Sequence, residues 1–204
     1  MGQETEKEAK TKLLIHARQE FIEKGYMKAS LRSICKKAGV TTGALYFFFE
    51  DKNDLFGNVV SEPLHRLEQV IGEHFKGEME NADTLEETGV DDDYEVTGQI
   101  IHCLFQYYEE FQLLITRSQG SDYGGITDRI VAIVEQHYRV LSGKVRAAAG
   151  REPVDDFMIH WIAHSQVDAF IHLLTHCSSE EEAKKQLDSM VAYLRGGWFA
   201  VVGG

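Results

Sequence analysis

Five side chains that could bind a metal ion recur at every fourth position near the C-terminal end of the chain. They are His160, His164, Asp168, His172 and His176, with Cys177 next to the last. Neighbours four residues apart lie on one side of a helix, and imidazole and carboxylate groups are ligands for zinc and nickel. Each step of four residues also turns by about 40° around the axis, so all five cannot share one face. A metal-binding sensor or a metal-dependent enzyme that uses His160, His164 and their neighbours is therefore the alternative prediction.

The same stretch gives no support for catalysis. The segment from His160 to His164 has the histidine spacing of HExxH but lacks the glutamate, which excludes that class of metalloprotease. The three cysteines are an odd number without CxxC spacing, so we expect reduced thiols that pack as small apolar groups; they are Cys35, Cys103 and Cys177. We predict that the protein is not an enzyme and has neither a cofactor nor a resident metal ion.

A second pattern, between residues 30 and 49, predicts two short helices joined by a tight turn. Ser30 is a good N-cap for the segment LRSICKKA, and Gly39 ends that helix after two turns. Thr41 can cap the next helix, TGALYFF. This is a helix-turn-helix, whose second helix enters the major groove of DNA. Residues 41–44 there combine small side chains with free backbone N–H groups that favour a phosphate.

The distribution of charge supports a DNA partner despite a net charge of -12. Residues 1–55 carry ten Lys and Arg against eight Asp and Glu, whereas the remainder carries eleven against twenty-five. No acidic residue occurs between Lys24 and Phe49, where the basic residues are Lys24, Lys28, Arg32, Lys36 and Lys37. A basic face on an acidic chain is expected where one end of the protein meets phosphates.

At these residues the chain resembles the N-terminal DNA-binding domain of the TetR family of repressors. The matching positions are Phe21, Gly25, Tyr26, Ser30, Ile34, Ala38, Gly39, Val40, Gly43, Leu45, Tyr46, Phe49, Lys52 and Leu55. The resemblance implies that DNA is contacted by Ser30, Arg32, Thr41, Thr42, Gly43, Ala44, Tyr46, Phe47 and Lys52. It also implies that Lys52, at the start of the fourth helix, binds a phosphate.

The recognition helix departs from the family pattern in two places. Thr42 stands where many members carry a basic residue, and Phe47 and Phe48 stand where many have His or Tyr. We therefore expect base reading by hydroxyl groups and by apolar contacts, for example with thymine methyl groups. The expected core of this small domain is Leu31, Ile34, Leu45, Phe49 and Leu55.

Helical periodicity covers most of the remaining chain, and no convincing strand is found. The predicted helices span residues 6–24, 52–75, 96–116, 126–148, 155–177 and 180–201. Asp51 is expected to cap the second of these and Pro63 to kink it. The acidic residues 76–98 have no apolar periodicity and are predicted to form a mobile loop.

These elements predict an all-α protein with two domains. Residues 1–52 are expected to form a three-helix helix-turn-helix DNA-binding domain, and residues 53–204 a larger helical domain for ligand binding and dimerisation. By the family resemblance, the last two helices pair with those of a second copy through apolar faces that contain Ile159, Ile162, Phe170, Leu173, Leu174, Leu187, Val191, Leu194 and Trp198. The side chains suited to a ligand pocket are Phe105, Tyr108, Phe111, Tyr123, His137, Trp161 and His164.

The leading prediction is a TetR-type transcriptional regulator that acts as a repressor. It is expected to bind double-stranded operator DNA as a homodimer and to be released by an unknown small-molecule effector. No apolar run approaches the roughly 20 residues that span a bilayer, and the N-terminal residues lack the apolar core of a signal peptide. We therefore expect a cytoplasmic protein without a membrane partner.

Overall fold

The computed structural model describes residues 2–82 and 89–203, which form helices and no strand. The helices are α1 (Gly2–Lys28, interrupted at Gly25), α2 (Leu31–Ala38), α3 (Thr42–Phe48), α4 (Lys52–Glu80), α5 (Val90–Gln106), α6 (Tyr108–Arg117), α7 (Ile126–Ala148), α8 (Asp156–His176), α9 (Glu180–Lys184) and α10 (Leu187–Val202). The predicted all-α class is confirmed. Within this described part, no helix is both long and apolar enough to cross a membrane.

The predicted ends of the first short helices are observed. The Ser30 side chain accepts a hydrogen bond from the backbone N–H of Ser33 at 3.4 Å and so caps α2. Gly39 follows α2 with φ 70°, a left-handed conformation that side chains with a Cβ rarely adopt. Asp51 accepts hydrogen bonds from the backbone N–H groups of residues 53 and 54, at 2.7 and 2.9 Å, and so caps α4. Local hydrogen-bond chemistry therefore sets these boundaries.

The acidic stretch 76–98 differs from its prediction as a loop. Helix α4 continues through Pro63 as far as Glu80, and α5 begins at Val90; residues 83–88 lie outside the described part. Acidic groups favour the N-terminal turn of a helix, and α5 opens with three consecutive aspartates. The predicted helix over 96–116 is likewise two helices, because the backbone at Tyr107 is not helical. Residues 180–201 also form two helices, α9 and α10.

The chain divides into two compact units whose boundaries differ from the predicted division at residue 52. Unit 1 contains residues 1–65 and 107–126, and unit 2 contains residues 66–106 and 127–204. Helix α4 is continuous across residue 52, so no break in the chain marks a domain boundary there. Residues 107–126 join unit 1 through tertiary contacts that local periodicity does not reveal.

Unit 1 is held together by an aromatic core and by charged contacts. The rings of Phe21 and Phe56 meet edge to face at 5.0 Å between centroids. Arg18 of α1 donates to both Glu109, at 2.8 Å, and Glu110 of α6. The Arg117 guanidinium donates to the Ile22 carbonyl at 2.8 Å. Helix α6 therefore supports the helix that carries the helix-turn-helix.

Unit 2 has an apolar core formed by α7, α8 and α10. The buried residues of this core are Val131, Val134, Tyr138, Leu141, Ile159, Ala163, Val167, Trp198 and Val202. A smaller cluster joins Ile101, Leu173 and Ala183, with Phe105 and Phe170 packed against it. The three cysteines are free thiols, and Cys35 and Cys103 are buried.

Candidate nucleic-acid interface

Helices α2 and α3 form the turn on which the candidate interface is built. The Thr41 hydroxyl accepts a hydrogen bond from the Ala44 backbone N–H at 3.1 Å and caps α3. On the inner side of this pair, Ile34, Leu45 and Phe49 are fully or almost fully buried. The predicted core of the small domain is confirmed at these positions and at Leu55, while Leu31 is half-buried.

The outer side of α3 exposes two aromatic rings. Tyr46 is 54% exposed and Phe47 is 71% exposed. Phe48, which is half-buried, meets the Phe47 ring edge to face at 5.0 Å between centroids. Since exposing large apolar surface to water is unfavourable, a ring this exposed on a short helix favours a binding role.

The residues predicted to contact DNA lie together around this surface. Thr41, Thr42 and Gly43 are exposed at the N-terminus of α3, and Ala44 is half-buried. Ser30 and Arg32 are exposed at the N-terminus of α2. Gly43 has no atom closer than 3.8 Å to the position where a Cβ would stand, so another molecule can approach the backbone there. These placements agree with the predicted interface, and contact with DNA stays a prediction.

The ammonium group of Lys52 makes two contacts within unit 1 that the sequence does not predict. Its Nζ donates to the Met27 carbonyl at 3.3 Å and lies 4.7 Å from the centre of the Tyr26 ring. Burial lowers the pKa of Lys52 from its usual 10.5. An ammonium group has three donors, and the contact with Met27 uses one of them. The group is therefore oriented from within unit 1 with further donors available for a phosphate.

A buried carboxylate joins α1 to the helix-turn-helix. Glu20 of α1 is completely buried, and its Oε1 accepts hydrogen bonds from Lys24 Nζ at 2.5 Å and from the Ser30 backbone N–H at 3.4 Å. Its Oε2 accepts from Ser33 Oγ at 3.0 Å and from Lys37 Nζ at 3.1 Å. The Glu20 carboxylate thus accepts hydrogen bonds from donors that lie before α2, at the start of α2 and near the end of α2.

The hydrogen bonds at Glu20 outweigh the cost of burying its charge. Burial alone would raise the pKa of Glu20, but the donors Lys24, Lys37, Ser33 and the Ser30 backbone lower it from 4.5 to about 2. The carboxylate is therefore ionised at neutral pH, and it neutralises part of the basic stretch. Lys28, Arg32 and Lys36 are exposed and make no ion pair within the described residues.

Glu20 is not among the predicted site residues, although the sequence contains a signal for it. The apolar stripe of α1 contains Leu13, Ala17 and Phe21, all fully buried, and Glu20 lies on the same face. An acidic residue on the apolar face of a helix needs partners in the folded state, because burial of an unpaired charge is costly. The acid-free stretch after Lys24 supplies those partners.

The seven residues predicted to line a pocket are distributed over both units. Tyr108, Phe111 and Tyr123 belong to unit 1, whereas the other four belong to unit 2. Phe111 is 3% exposed and Trp161 is 49% exposed, so one is core and the other faces outward. None of the seven lines the two cavities described below, and their role in ligand binding stays a prediction.

Two cavities lie in unit 2 among side chains that periodicity did not single out. The larger has a volume of about 750 Å³ between α4, α5 and α9, with Arg66, Tyr94 and Lys184 in its lining. The smaller has a volume of about 260 Å³ and is lined by residues of α4 and α5 together with Gly89. Both are more polar than an aromatic pocket would be.

The histidine-rich helix α8 does not assemble a compact metal site. His160 Nδ1 lies 2.8 Å from Glu135 Oε2, and the His160 and His164 rings are 4.5 Å apart between centroids. His172 and His176 form a separate pair at 5.0 Å. Among the described residues, three potential ligand atoms come within 4.8 Å of one another elsewhere, in unit 2.

Comparison with known proteins decides the family of the helix-turn-helix. The family model described as bacterial regulatory proteins, tetR family, matches residues 13–59, which contain α2, α3 and the start of α4. Over these residues the chain is similar to the TetR family. The predicted resemblance to this family and the predicted helix-turn-helix are confirmed.

Relatives of the chain are transcriptional regulators. It is 31% identical over 129 residues to the HTH-type transcriptional repressor BepR of Brucella suis biovar 1, covering 54% of this chain and 57% of BepR. It is 40% identical over 62 residues to the HTH-type transcriptional regulator AcrR of Shigella flexneri, covering 29% of each chain. The chain thus spans little more than half the length of one of these relatives and less than a third of the other. Both are named as transcriptional regulators.

Solved structures share the fold across nearly the whole chain. NalD, the secondary repressor of the MexAB-OprM multidrug efflux pump in Pseudomonas aeruginosa, matches with a TM-score of 0.61 at 17% identity, covering 94% of this chain and 97% of NalD. The fatty acid degradation regulator FadR of Bacillus halodurans matches with a TM-score of 0.56 at 16% identity, covering 92% of this chain and 98% of FadR. At these identities the likeness concerns the fold, a helix-turn-helix region followed by a helical body.

The buried Glu20 makes the stability of the protein depend on pH in a defined way. We expect Glu20→Gln to lower the free energy of unfolding by about 2 kcal/mol at pH 7. Because the folded-state pKa of Glu20 is lowered from 4.5 to about 2, its stabilising effect is complete above pH 4.5 and is lost as the pH falls towards 2. Urea unfolding followed by circular dichroism at pH 7, 4 and 3 should show the difference from wild type shrinking on acidification.

Glu23→Gln is the matched control, because Glu23 is exposed and lies 3.8 Å from the same Lys37. This variant should unfold within about 0.5 kcal/mol of wild type at every pH. A Glu20→Gln effect that equals the control, or that stays constant down to pH 3, would contradict the stabilising role of the Glu20 carboxylate.

Proposed function

We propose that the protein is a repressor that binds operator DNA as a homodimer and is released by a small-molecule effector. The observation that carries the proposal is the outer face of α3, where Tyr46 and Phe47 are exposed beside the small residues that begin the helix. BepR and NalD are named as repressors, which supports the proposal that this protein also represses transcription. Because operator DNA lies in the bacterial cytoplasm, the same proposal includes a cytoplasmic location.

The chemistry of α3 suits a major groove that is read mainly by apolar contact. Thr42 offers a hydroxyl and a methyl group, and Phe47 offers an aromatic edge to thymine methyl groups. The free N–H groups at the start of α3 can bind a phosphate with the favourable end of the helix dipole. The exposed cations Lys28, Arg32 and Lys36 supply the sequence-independent attraction.

The recognition-helix assignment can be tested without knowing the operator. Selection from a random duplex library with the full chain provides a binding sequence, and fluorescence anisotropy then measures affinity. We expect Tyr46→Ala and Thr42→Ala each to weaken binding to the selected duplex by 10-fold or more, because each loses a groove or phosphate contact worth about 1–3 kcal/mol.

Ile15→Ala provides the control for that measurement, since Ile15 is an apolar side chain of α1 that is 51% exposed. Its affinity for the selected duplex should stay within twofold of wild type. Wild-type affinity in both α3 variants, with the proteins folded, would refute the assignment of α3 to the groove.

Lys52 is proposed to bind a phosphate with its remaining donors. We expect Lys52→Ala to weaken binding to all duplexes by a similar factor and to lower the slope of log K against log salt by about one unit. Anisotropy titrations from 50 to 300 mM salt measure this slope. Lys76→Ala, which removes an exposed lysine of unit 2, should leave the slope unchanged; a slope that also stays at the wild-type value in Lys52→Ala would exclude a phosphate contact by Lys52.

The predicted dimer faces need a correction at several residues. Ile159, Leu173, Leu174, Val191 and Trp198 are at most 8% exposed within a single chain, so they fill its own core and are not available to a partner. Local periodicity shows that a helix face is apolar, but it does not show whether that face packs into the chain's own core or against a partner. The exposed large apolar side chains on α8 and α10 are instead Phe157, Trp161 and Tyr193.

A pair of glycines on α10 supports a partner at the corrected face. Gly196 and Gly197 are exposed inside the helix, and a Cβ added at either would meet no atom of this chain within 4 Å. Glycine inside a helix costs about 1 kcal/mol relative to alanine. Since packing within the chain does not require glycine here, close approach of a second helix is the explanation we propose, with Tyr193 beside it.

We expect Gly196→Arg to convert the dimer to a monomer, because a long charged side chain blocks a close helix contact. Analytical ultracentrifugation at 1–50 μM measures the change, and affinity for the selected duplex should fall with it. Gly72→Arg is the control, since Gly72 is an exposed glycine inside α4 with the same open surroundings. A Gly196→Arg protein that sediments like wild type would contradict this interface.

Release by an effector requires a site whose occupancy favours a form of the dimer that fits DNA less well. A ligand with equal affinity for both forms shifts nothing, so differential binding is essential. The 750 Å³ cavity of unit 2 is of the size that a small organic molecule fills. Its lining carries two basic side chains, Arg66 and Lys184, and two acidic ones, Glu73 and Glu95, which favours an effector with several hydrogen-bonding groups.

A further inference from the structure

A second cluster of ionisable side chains occurs in unit 2, separate from the histidines of α8. His74 and Glu78 lie one helical turn apart on α4, Asp93 lies in the first turn of α5, and His137 lies in the middle of α7. Their side chains are between 7% and 22% exposed. Three helices thus direct two imidazoles and two carboxylates towards one place.

The distances between these groups approach those of ligands around one ion. His74 Nε2 lies 3.5 Å from Glu78 Oε2 and 3.9 Å from Asp93 Oδ1, and His137 Nε2 lies 2.7 Å from the same Glu78 oxygen. Zinc–ligand bonds of 2.0–2.2 Å place the ligand atoms of a tetrahedral site about 3.3–3.6 Å apart. The ligand atoms of His74, Glu78 and Asp93 all lie within 4.8 Å of one another, and His137 joins them through its contact with Glu78.

We propose that His74, Glu78, Asp93 and His137 form a binding site for one divalent transition-metal ion of the zinc class. The inference goes beyond the proposed function and does not rest on it, because every residue involved belongs to unit 2. An ion held here joins α4, α5 and α7.

The charges around the site favour a cation. Among the described residues, the lining of the adjoining 260 Å³ cavity contains no lysine or arginine, whereas its acidic residues are Glu73, Glu78, Asp92, Asp93 and Glu95. A divalent ion is attracted to such a concentration of carboxylates, and the cavity gives it a route from solvent.

Neighbouring side chains hold two of the ligands in place. Arg195 of α10 binds Asp93 Oδ2 and leaves Oδ1 directed towards His74. The Phe75 ring stacks on the His137 imidazole at 3.7 Å between centroids, with an angle of 2° between planes. Partners that orient metal ligands in this way typically change metal affinity 10–100-fold when they are removed.

The ligand types distinguish the zinc class from other cations. Calcium and magnesium prefer sites built entirely from oxygen ligands, whereas two imidazoles with two carboxylates suit zinc, cobalt, nickel or iron(II). The α8 pairs His160–His164 and His172–His176 each bring only two imidazoles together. The cluster on α4, α5 and α7 is thus the more complete donor set.

Calorimetric titration of the chelator-treated full chain, prepared without a histidine tag, tests the site with zinc chloride as the probe. We expect one zinc ion per chain, with at least a 10-fold loss of affinity in His74→Gln and in His137→Gln. His160→Gln is the control and should bind zinc like wild type. Absence of zinc binding to wild type, wild-type affinity in both His74→Gln and His137→Gln, or loss of binding in His160→Gln would overturn the proposal.

X-ray absorption of the zinc-loaded wild-type protein gives a second test that does not depend on variants. Two imidazoles and oxygen ligands at about 2.0–2.1 Å are expected. A sulfur shell near 2.3 Å would place the ion on a cysteine instead and overturn the assignment. DNA affinity plays no part in either measurement, so failure of this site and failure of the proposed function are distinguishable.

Discussion

The buried carboxylate of Glu20 is the constraint on which the geometry of the candidate interface depends. It accepts hydrogen bonds from α1, from the residue that caps α2 and from a lysine near the end of α2. Because the carboxylate has no access to water, movement of α2 away from α1 leaves a buried charge without partners, which costs several kcal/mol. The position of α3, and with it the exposed Tyr46 and Phe47, follows from that of α2.

The same interaction resolves the contrast between an acidic protein and a basic interface. Lys24 and Lys37 are occupied in holding Glu20, so they contribute to the structure of the domain. Lys28, Arg32 and Lys36 remain exposed on a surface without an acidic residue between Lys24 and Phe49. Attraction to phosphates therefore rests on a few cations, while the aromatic rings and threonines of α3 are left to discriminate between bases.

The polar cluster in unit 2 differs from the surroundings of Glu20 in unit 1. His74, Glu78, Asp93 and His137 converge beside a cavity and are drawn from three helices, and Arg195 orients one of them from a fourth. In unit 1 a carboxylate is surrounded by donors and is satisfied within the chain. Around the cluster in unit 2 the carboxylates outnumber the nearby cations, which is the arrangement expected of a site that binds a positively charged ligand.

The local features of this protein follow from its sequence alone. The caps at Ser30, Thr41 and Asp51, the left-handed turn at Gly39 and the all-α class depend on interactions between residues a few positions apart, and the structure agrees with them. The lengths of α4 and α5 were not predicted correctly, because an acidic segment with no apolar periodicity can still continue a helix that the rest of the chain stabilises.

Which distant residues meet depends on the tertiary structure. Glu20 contacts Lys37 across 17 positions, and His74 approaches Asp93 and, through Glu78, His137. The apolar residues of α8 and α10 divide between the core of the chain and its exposed face only when both helices are packed. Helical periodicity identifies the side of a helix on which a residue lies, whereas its partner depends on how the helices cross, which is set by packing of the whole unit.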